Sequence, residues 1–192
     1  MIENSANSVY SPGILPARAT SEAERQEDHL RPCWYAVYTL SRHEKRVAEQ
    51  LQNRRVSHFL PLLQRVHRWK DRRMKVQLPY FPNYLFVQIA YGDRLPVLQT
   101  PGVVRIVGTL AHPTTVPNEQ IATLRTALEL GLHIEPRPMI EVGRKVRLRS
   151  GPFEGTEGIL LRKKGKVRFV VSIRAIMRSF AVEVDAMDVR PA

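Results

Sequence analysis

Apolar side chains are sparse before residue 32 and recur with clear periods after it. Residues 1–31 mix Ser, Asn, Pro, Glu and Gln with few apolar anchors, the composition of a disordered leader. Trp34-Tyr35-Ala36-Val37-Tyr38-Thr39-Leu40 is aromatic and β-branched, which predicts a strand. Ser41-Arg42-His43-Glu44 then has capping-box spacing, with serine at the N-cap and glutamate three residues on. The helix it opens turns Val47, Ala48 and Leu51 inward and Arg42, Lys45, Arg46, Glu49 and Gln52 outward. A second strand near residues 58–63 feeds a run in which Arg65, Arg68, Lys70, Arg72, Arg73 and Lys75 interleave with Trp69. Its polar centre at Asp71 predicts a basic hairpin with its tip near 70–73 and a return strand over 76–79.

Phe81-Pro82-Asn83-Tyr84-Leu85-Phe86-Val87-Gln88-Ile89 follows, and its last six residues suit a central strand entered irregularly through Pro82-Asn83. A short helix is expected from Asp93, and Pro101-Gly102 turns the chain into a strand over 103–107. Pro117 can open another helix that aligns Ile121, Leu124 and Leu128, with Gly131 as its stop. The early hairpin and short connections favour α+β over a doubly wound sheet. Residues 132–140, with Pro136 and Pro138, read as a stiff linker. Beyond it short strands are expected near 144–149, 158–163, 166–172, 179–184 and 187–190, with Lys164-Gly165 as a hairpin turn. Closing five such strands into a small barrel removes their exposed edges. The expected division is therefore a leader over 1–31, a first domain over 32–131, a linker over 132–140 and a barrel over 141–192.

Charge sharpens this division. Of the 192 residues 30 are basic and 18 acidic, for a net charge of +12. Residues 1–31 carry three basic and five acidic side chains, whereas residues 33–128 carry fourteen and five. The excess thus sits in the parts expected to fold, and such a surface favours polyanions, because phosphate contacts release counterions. One cysteine, Cys33, excludes an internal disulfide and any multi-cysteine zinc site. No apolar run approaches the roughly 18 residues that span a membrane. The first residues lack the basic-then-apolar order of a secretory signal, so the expectation is a cytoplasmic monomer without a membrane partner.

Catalytic chemistry is poorly represented. The six histidines are scattered without zinc-ligand spacing, no serine sits in a nucleophile elbow, and no glycine-rich loop leads into a helix. Glu183 and Asp185 alternate as the metal-binding acids of some nucleases do, yet beside Val182 and Val184 they read more simply as the solvent face of a strand. No enzyme activity, metal or cofactor is expected. Binding chemistry is better represented. The arginine-rich hairpin joins phosphate attraction to a stacking side chain in Trp69. Phe81, Tyr84 and Phe86 form an aromatic cluster, either ordinary core or a groove that accepts a helix. In Val146-Arg147-Leu148-Arg149-Ser150-Gly151-Pro152-Phe153-Glu154-Gly155-Thr156-Glu157-Gly158-Ile159 a strand turns through Gly-Pro and displays Phe153 on a loop, where an exposed aromatic usually touches a partner.

Three stretches in this order, Trp34-Tyr35-Ala36-Val37-Tyr38-Thr39, Phe81-Pro82-Asn83-Tyr84-Leu85-Phe86-Val87 with Pro101-Gly102-Val103, and the loop over 151–158, resemble the NusG family of transcription elongation factors. The resemblance covers about residues 33–190 and leaves out the leader. It implies an N-terminal α/β sandwich (the NGN domain), an antiparallel sheet with flanking helices, joined to a five-stranded SH3-like β-barrel (the KOW domain). Asn83 stands where the general factor usually has glycine, which is more similar to specialised paralogues such as RfaH and UpxY. By this resemblance Phe81, Pro82, Tyr84 and Phe86 contact the clamp helices of the RNA polymerase β′ subunit. Arg94, Leu95 and Pro96 meet the β-subunit gate loop. Arg42, Lys45, Arg46, Arg68, Trp69, Lys70, Arg72 and Arg73 face DNA of the elongation complex, and Phe153 anchors Rho or a small-subunit ribosomal protein. The C-terminal segment reads as β throughout, with no sign of the helical alternative fold known for RfaH. The function implied is elongation and antitermination by a specialised paralogue. The alternatives are a housekeeping factor that supports Rho-dependent termination and, of another class, a stand-alone RNA-binding module.

Overall fold

The computed structural model describes residues 30–68, 73–109, 113–139, 143–163 and 166–192. The leader up to residue 29, the hairpin tip at 69–72 and the turn at Lys164-Gly165 lie outside the described residues.

The N-terminal half is an antiparallel sheet with helices on both faces. Its strands are β1 (Cys33–Thr39), β2 (Ser57–Phe59), β5 (Tyr84–Ile89) and β6 (Val103–Ile106), in the order β2-β5-β1-β6, with the short β7 (Thr115–Val116) also pairing β1. β1 lies against β5 from Cys33↔Ile89 to Tyr38↔Tyr84, so alternate residues of both strands face opposite ways. One face carries Tyr35, Val37, Leu85 and Val87, and onto it pack Val47 and Leu51 of helix α1 (Glu44–Asn53) and Val97 of helix α2 (Leu95–Leu98). The other face carries Trp34, Ala36 and Phe86, covered by Ile121, Leu124 and Ala127 of helix α3 (Asn118–Glu129). Gly131 has φ +62, the left-handed conformation expected just past a helix end. β3 (Leu62–Arg68) and β4 (Arg73–Pro79) form the long hairpin in register Gln64↔Gln77.

α1 begins at Glu44, with His43 at its N-cap and no side-chain cap bond, so the expected capping box from Ser41 does not form. The carboxylate of Glu44 is used elsewhere. Buried at 4% exposure, its Oε1 accepts the backbone N–H of Asn83 at 2.7 Å.

The C-terminal half is one antiparallel sheet of six strands, not five. They are β8 (Ile134–Pro138), β9 (Arg144–Leu148), β10 (Glu157–Lys163), β11 (Lys166–Ile173), β12 (Arg178–Glu183) and β13 (Val189–Pro191), in the order β13-β9-β10-β11-β12-β8. The added strand, β8, comes from the stretch expected to be a linker, and it pairs with β12 from Ile134↔Val182 to Pro138↔Arg178. Its two prolines are compatible with pairing because β8 is an edge strand, where one row of amides has no partner to lose. Only four residues, 130–133, separate α3 from β8.

The halves do not stand apart. The apolar cluster on the α3 side of the first sheet continues without a break into Val146, Leu148, Phe153, Phe169, Val171, Ile176 and Phe180 of the second. Across this joint the hydroxyls of Thr123 on α3 and Thr156 are 3.1 Å apart, and both residues are buried.

Candidate functional site

The aromatic cluster is built on a tight turn. Asn83 has φ +70, a left-handed conformation that glycine and asparagine tolerate and most residues do not. It is held from three sides. Its N–H donates to Glu44, its carbonyl accepts Thr39 N–H at 2.9 Å, and Tyr84 N–H returns to Phe81 O at 3.1 Å. The turn sends Phe81 inward and leaves Pro82 exposed. Tyr84 and Phe86 share a sheet face, as strand alternation requires. Tyr84 is half-buried against Tyr38, ring centroids 5.3 Å apart. Phe86 is fully buried and meets Phe81 edge-on at 6.2 Å.

Two of the four expected grip residues are therefore not surface. Phe81 is 2% exposed and Phe86 0%, both within the cluster that includes Phe153 and Ile176. Sequence reasoning misses this because it sees the aromatic face of one sheet but not the second sheet brought down beside it. The exposure expected of Phe153 is corrected in the same way. That residue is 5% exposed and belongs to the joint core. Its loop is pinned by Gly155 N–H to Leu148 O at 2.8 Å, Arg149 N–H to Asp188 O at 2.9 Å and Ser150 Oγ to Asp188 Oδ1 at 2.5 Å.

Tyr80, next to the turn, marks the joint electrostatically. Its hydroxyl is buried without a hydrogen-bond partner among the described residues. Burial, then the nearby charge of Glu135, drive its phenol far above the ordinary tyrosine range, and Arg137 opposes them. Glu135 on β8 bonds Arg137 at 2.8 Å and Arg168 of β11 at 2.5 Å, and the Arg137 hydrogen bond is the largest cause holding its carboxyl below the usual range. No sequence pattern pairs residues 80 and 135. Thr123 and Thr156 are equally silent in sequence.

The segment after β5 keeps more exposure. Leu95 is 59% exposed and Pro96 is exposed beside it, whereas Arg94 folds back with its guanidinium 4.8 Å from the Tyr91 ring and a bond to Tyr91 O. On the basic side Arg42, Lys45 and Arg46 are exposed, as expected. Arg68 ends β3 and Arg73 opens β4, directly paired across the hairpin. Trp69, Lys70 and Arg72 lie outside the described residues. Among the described residues no group of three or more metal-ligating side chains gathers, and no helix is long and apolar enough to cross a membrane.

Residues 32–125 match the family model described as transcription termination factor nusG. The chain is 29% identical over 182 residues to a transcription termination/antitermination protein NusG of Deinococcus radiodurans, covering 79% of this chain and 95% of that one. It is 27% identical over 173 residues to the protein so named in Escherichia coli K12, covering 83% and 96%. A solved structure described as domain interaction in Thermotoga maritima NusG aligns over 85% of this chain and 98% of that one, at 21% identity and a TM-score of 0.48.

Proposed function

The chain belongs to the NusG family of transcription termination and antitermination factors, and from that premise we propose that it binds RNA polymerase through the turn at Phe81–Tyr84 and adjusts pausing and termination. The observation that carries this is the family match over residues 32–125, the part of the chain that contains the turn and both candidate contact segments. In the proposed mode the β′ clamp helices lie across the α3 side of the first sheet. Pro82 and Tyr84 meet them first, and Phe81 and Phe86 form the floor of the groove. Leu95 and Pro96, with Arg94 behind them, take the β-subunit gate loop. A factor that bridges clamp and gate loop binds the closed clamp better than the open one and shifts the population toward it. Arg42, Lys45 and Arg46 face DNA, with Arg68, Trp69, Lys70, Arg72 and Arg73 of the hairpin extending that side. The role is binding, without a catalytic residue, and the site of action is the cytoplasm, with the factor a monomer.

Because Phe81, Phe86 and Phe153 share one buried cluster, we infer that the C-terminal sheet and the clamp helices compete for the same face. Release of the sheet frees Phe153 as well, and it then serves as the anchor for a small-subunit ribosomal protein or Rho. Within this reading the chain is a specialised paralogue, because Asn83 supports the left-handed turn without glycine.

The test is co-purification of the full chain with core RNA polymerase, followed by transcription on a paused template. Pro82→Glu combined with Tyr84→Ala is expected to weaken binding at least tenfold without unfolding, since neither side chain is fully buried. Unchanged polymerase binding by that folded variant overturns the grip. Readthrough at a Rho-dependent terminator, raised or lowered by the protein, separates antitermination from support of Rho.

A further inference from the structure

The C-terminal sheet holds a cavity of about 120 Å³ at the end where β9 and β11 begin, away from the Phe153 loop that follows β9 at its other end. Val146, Leu160, Val167, Val189 and Pro191 form its apolar wall, and Arg144 and Arg190 complete the lining. Register builds this wall. Arg144 and Val146 alternate onto one face of β9, where Arg144 faces Leu160 of β10 and Val146 faces Pro191 of β13. Leu160 in turn faces Phe169 of β11, and Val167, two residues earlier, shares that face. Val146 is buried, whereas Leu160, Val167 and Val189 are half-buried. Arg144 and Arg190 are exposed, and neither side chain has a hydrogen bond or ion pair among the described residues. Other arginines of the sheet differ: Arg137 and Arg168 share Glu135, and Arg147 pairs with Glu157. None of the seven lining residues is acidic or aromatic.

We infer that this cavity is a docking socket for an acidic segment of a partner protein. The segment seats one branched aliphatic side chain against Val146, Leu160 and Val189 and lays a neighbouring carboxylate on Arg144 and Arg190. Volume fixes the anchor. A dry cavity of about 150 Å³ holds one benzene ring. At about 120 Å³ the socket takes a single leucine, isoleucine or valine side chain. It is too small for an acyl chain or a drug-sized ligand, whose sites run to about 300 Å³ or more. Charge fixes what surrounds the anchor. A planar guanidinium presents paired N–H donors that match a carboxylate, and here two of them stand without one. Residues 129–192 carry thirteen basic and eight acidic side chains, so an acidic partner is attracted to this half and a basic one repelled. A guanidinium also takes phosphate, but a nucleic-acid strand needs aromatic rings on which its bases stack, and none lines the cavity. The socket shares no residue with the polymerase contacts or the Phe153 loop, so it stands or falls independently of the proposed function.

The experiment titrates the full chain into a short fluorescein-labelled peptide of aspartate, glycine and serine with one central leucine, read by anisotropy. Alanine in place of that leucine should cost about tenfold or more in affinity, the loss of one buried aliphatic side chain. R144Q/R190Q should weaken the leucine peptide about three- to thirtyfold, and less so at high salt. The same variant should bind a peptide with asparagine for aspartate no differently from wild type. Both arginines are exposed, so the variant is expected to fold, and methyl NMR should place the peptide-induced shifts at Val146, Leu160, Val167 and Val189. Equal affinity for the leucine and alanine peptides overturns the socket. So does R144Q/R190Q binding as wild type, or methyl shifts that leave these four residues untouched. Single-stranded DNA that displaces the probe more strongly than unlabelled peptide makes the cavity a nucleic-acid site and overturns it too. A synthetic peptide of residues 1–29 that does the same makes this chain's own N-terminal segment the occupant. Concentration-dependent self-association abolished by R144Q/R190Q makes the occupant a second copy. Either result overturns a separate partner.

Discussion

Thr123→Val tests the competition between the C-terminal sheet and polymerase, because the hydrogen bonds at the joint are unequal. Thr123 Oγ1 lies 2.6 Å from Glu119 O and donates its single proton there. The 3.1 Å contact with Thr156 therefore runs from the Thr156 hydroxyl to the Thr123 oxygen. Removal of the Thr123 hydroxyl leaves Thr156, 7% exposed, with a buried donor and no acceptor, a cost of about 1–3 kcal/mol. Removal of the Thr156 hydroxyl leaves Thr123 satisfied by Glu119 and costs only the net bond, about 0.5–1.5 kcal/mol. If polymerase takes the opened form, these losses become gains in apparent affinity, about 5- to 150-fold for T123V and about 2- to 13-fold for T156V. T123V/T156V removes both partners and should fall near T156V. Titration of labelled core RNA polymerase with the wild type and three variants reads the order directly, and circular dichroism checks that all are folded. Equal affinities across the series, or T123V binding more weakly than wild type while folded, would refute the reasoning.

Other consequences follow from single positions. Gly158 lies in β10 where an added Cβ would come within 2.5 Å of Val170 O and 2.7 Å of the Phe169 ring, so Gly158→Ala should destabilise the C-terminal sheet by about 1–3 kcal/mol or more by overpacking, measured by chemical denaturation. A variant as stable as wild type would mean that the β10–β11 pairing yields easily. Asn83→Val forces a β-branched residue to φ +70 and should cost about 1–3 kcal/mol, whereas Asn83→Gly should be near neutral; a thermal melt of both separates backbone strain from loss of the side chain. Glu135 has its carboxyl held below the usual range by Arg137 and Arg168, so its contribution to stability is present above the ordinary glutamate range and is lost as pH falls through the depressed value. Glu135→Gln should flatten the acid limb of the stability–pH curve, and an unchanged limb would show that the two arginines do not act through this carboxylate.

Much of the fold is legible because local periodicity and burial agree. Val47, Ala48 and Leu51 are the inward apolar residues of α1, and five of the six strands of the C-terminal sheet, all but β8, fall within a residue or two of their expected places. The failures share a cause, the absence of long-range information. Ser41 and Glu44 have the spacing of a cap, but Asn83, far along the chain, takes the carboxylate. Pro136 and Pro138 argue for a linker until β12 offers a partner whose edge tolerates them. Phe81 and Phe86 stand out in the sequence as one aromatic cluster and Phe153 as a separate loop aromatic. What sequence cannot show is that they bury one another. Asn83 is the reverse case, since Pro82-Asn83 is legible as an irregular entry to the strand and the structure places a left-handed residue, φ +70, at Asn83.

The short connection between α3 and β8 sets the mechanical range of the molecule. Residues 130–133 span at most about 14 Å when fully extended, so with β8 in place the C-terminal sheet can swing but not leave. In the proposed competition it is a leashed competitor whose effective concentration at the aromatic face stays high and does not change with dilution. If β8 peels from β12 the leash lengthens to residues 130–143, about 50 Å at most. The edge strand is thus stored tether length, and its pairing energy decides whether the two halves work within one radius or the other.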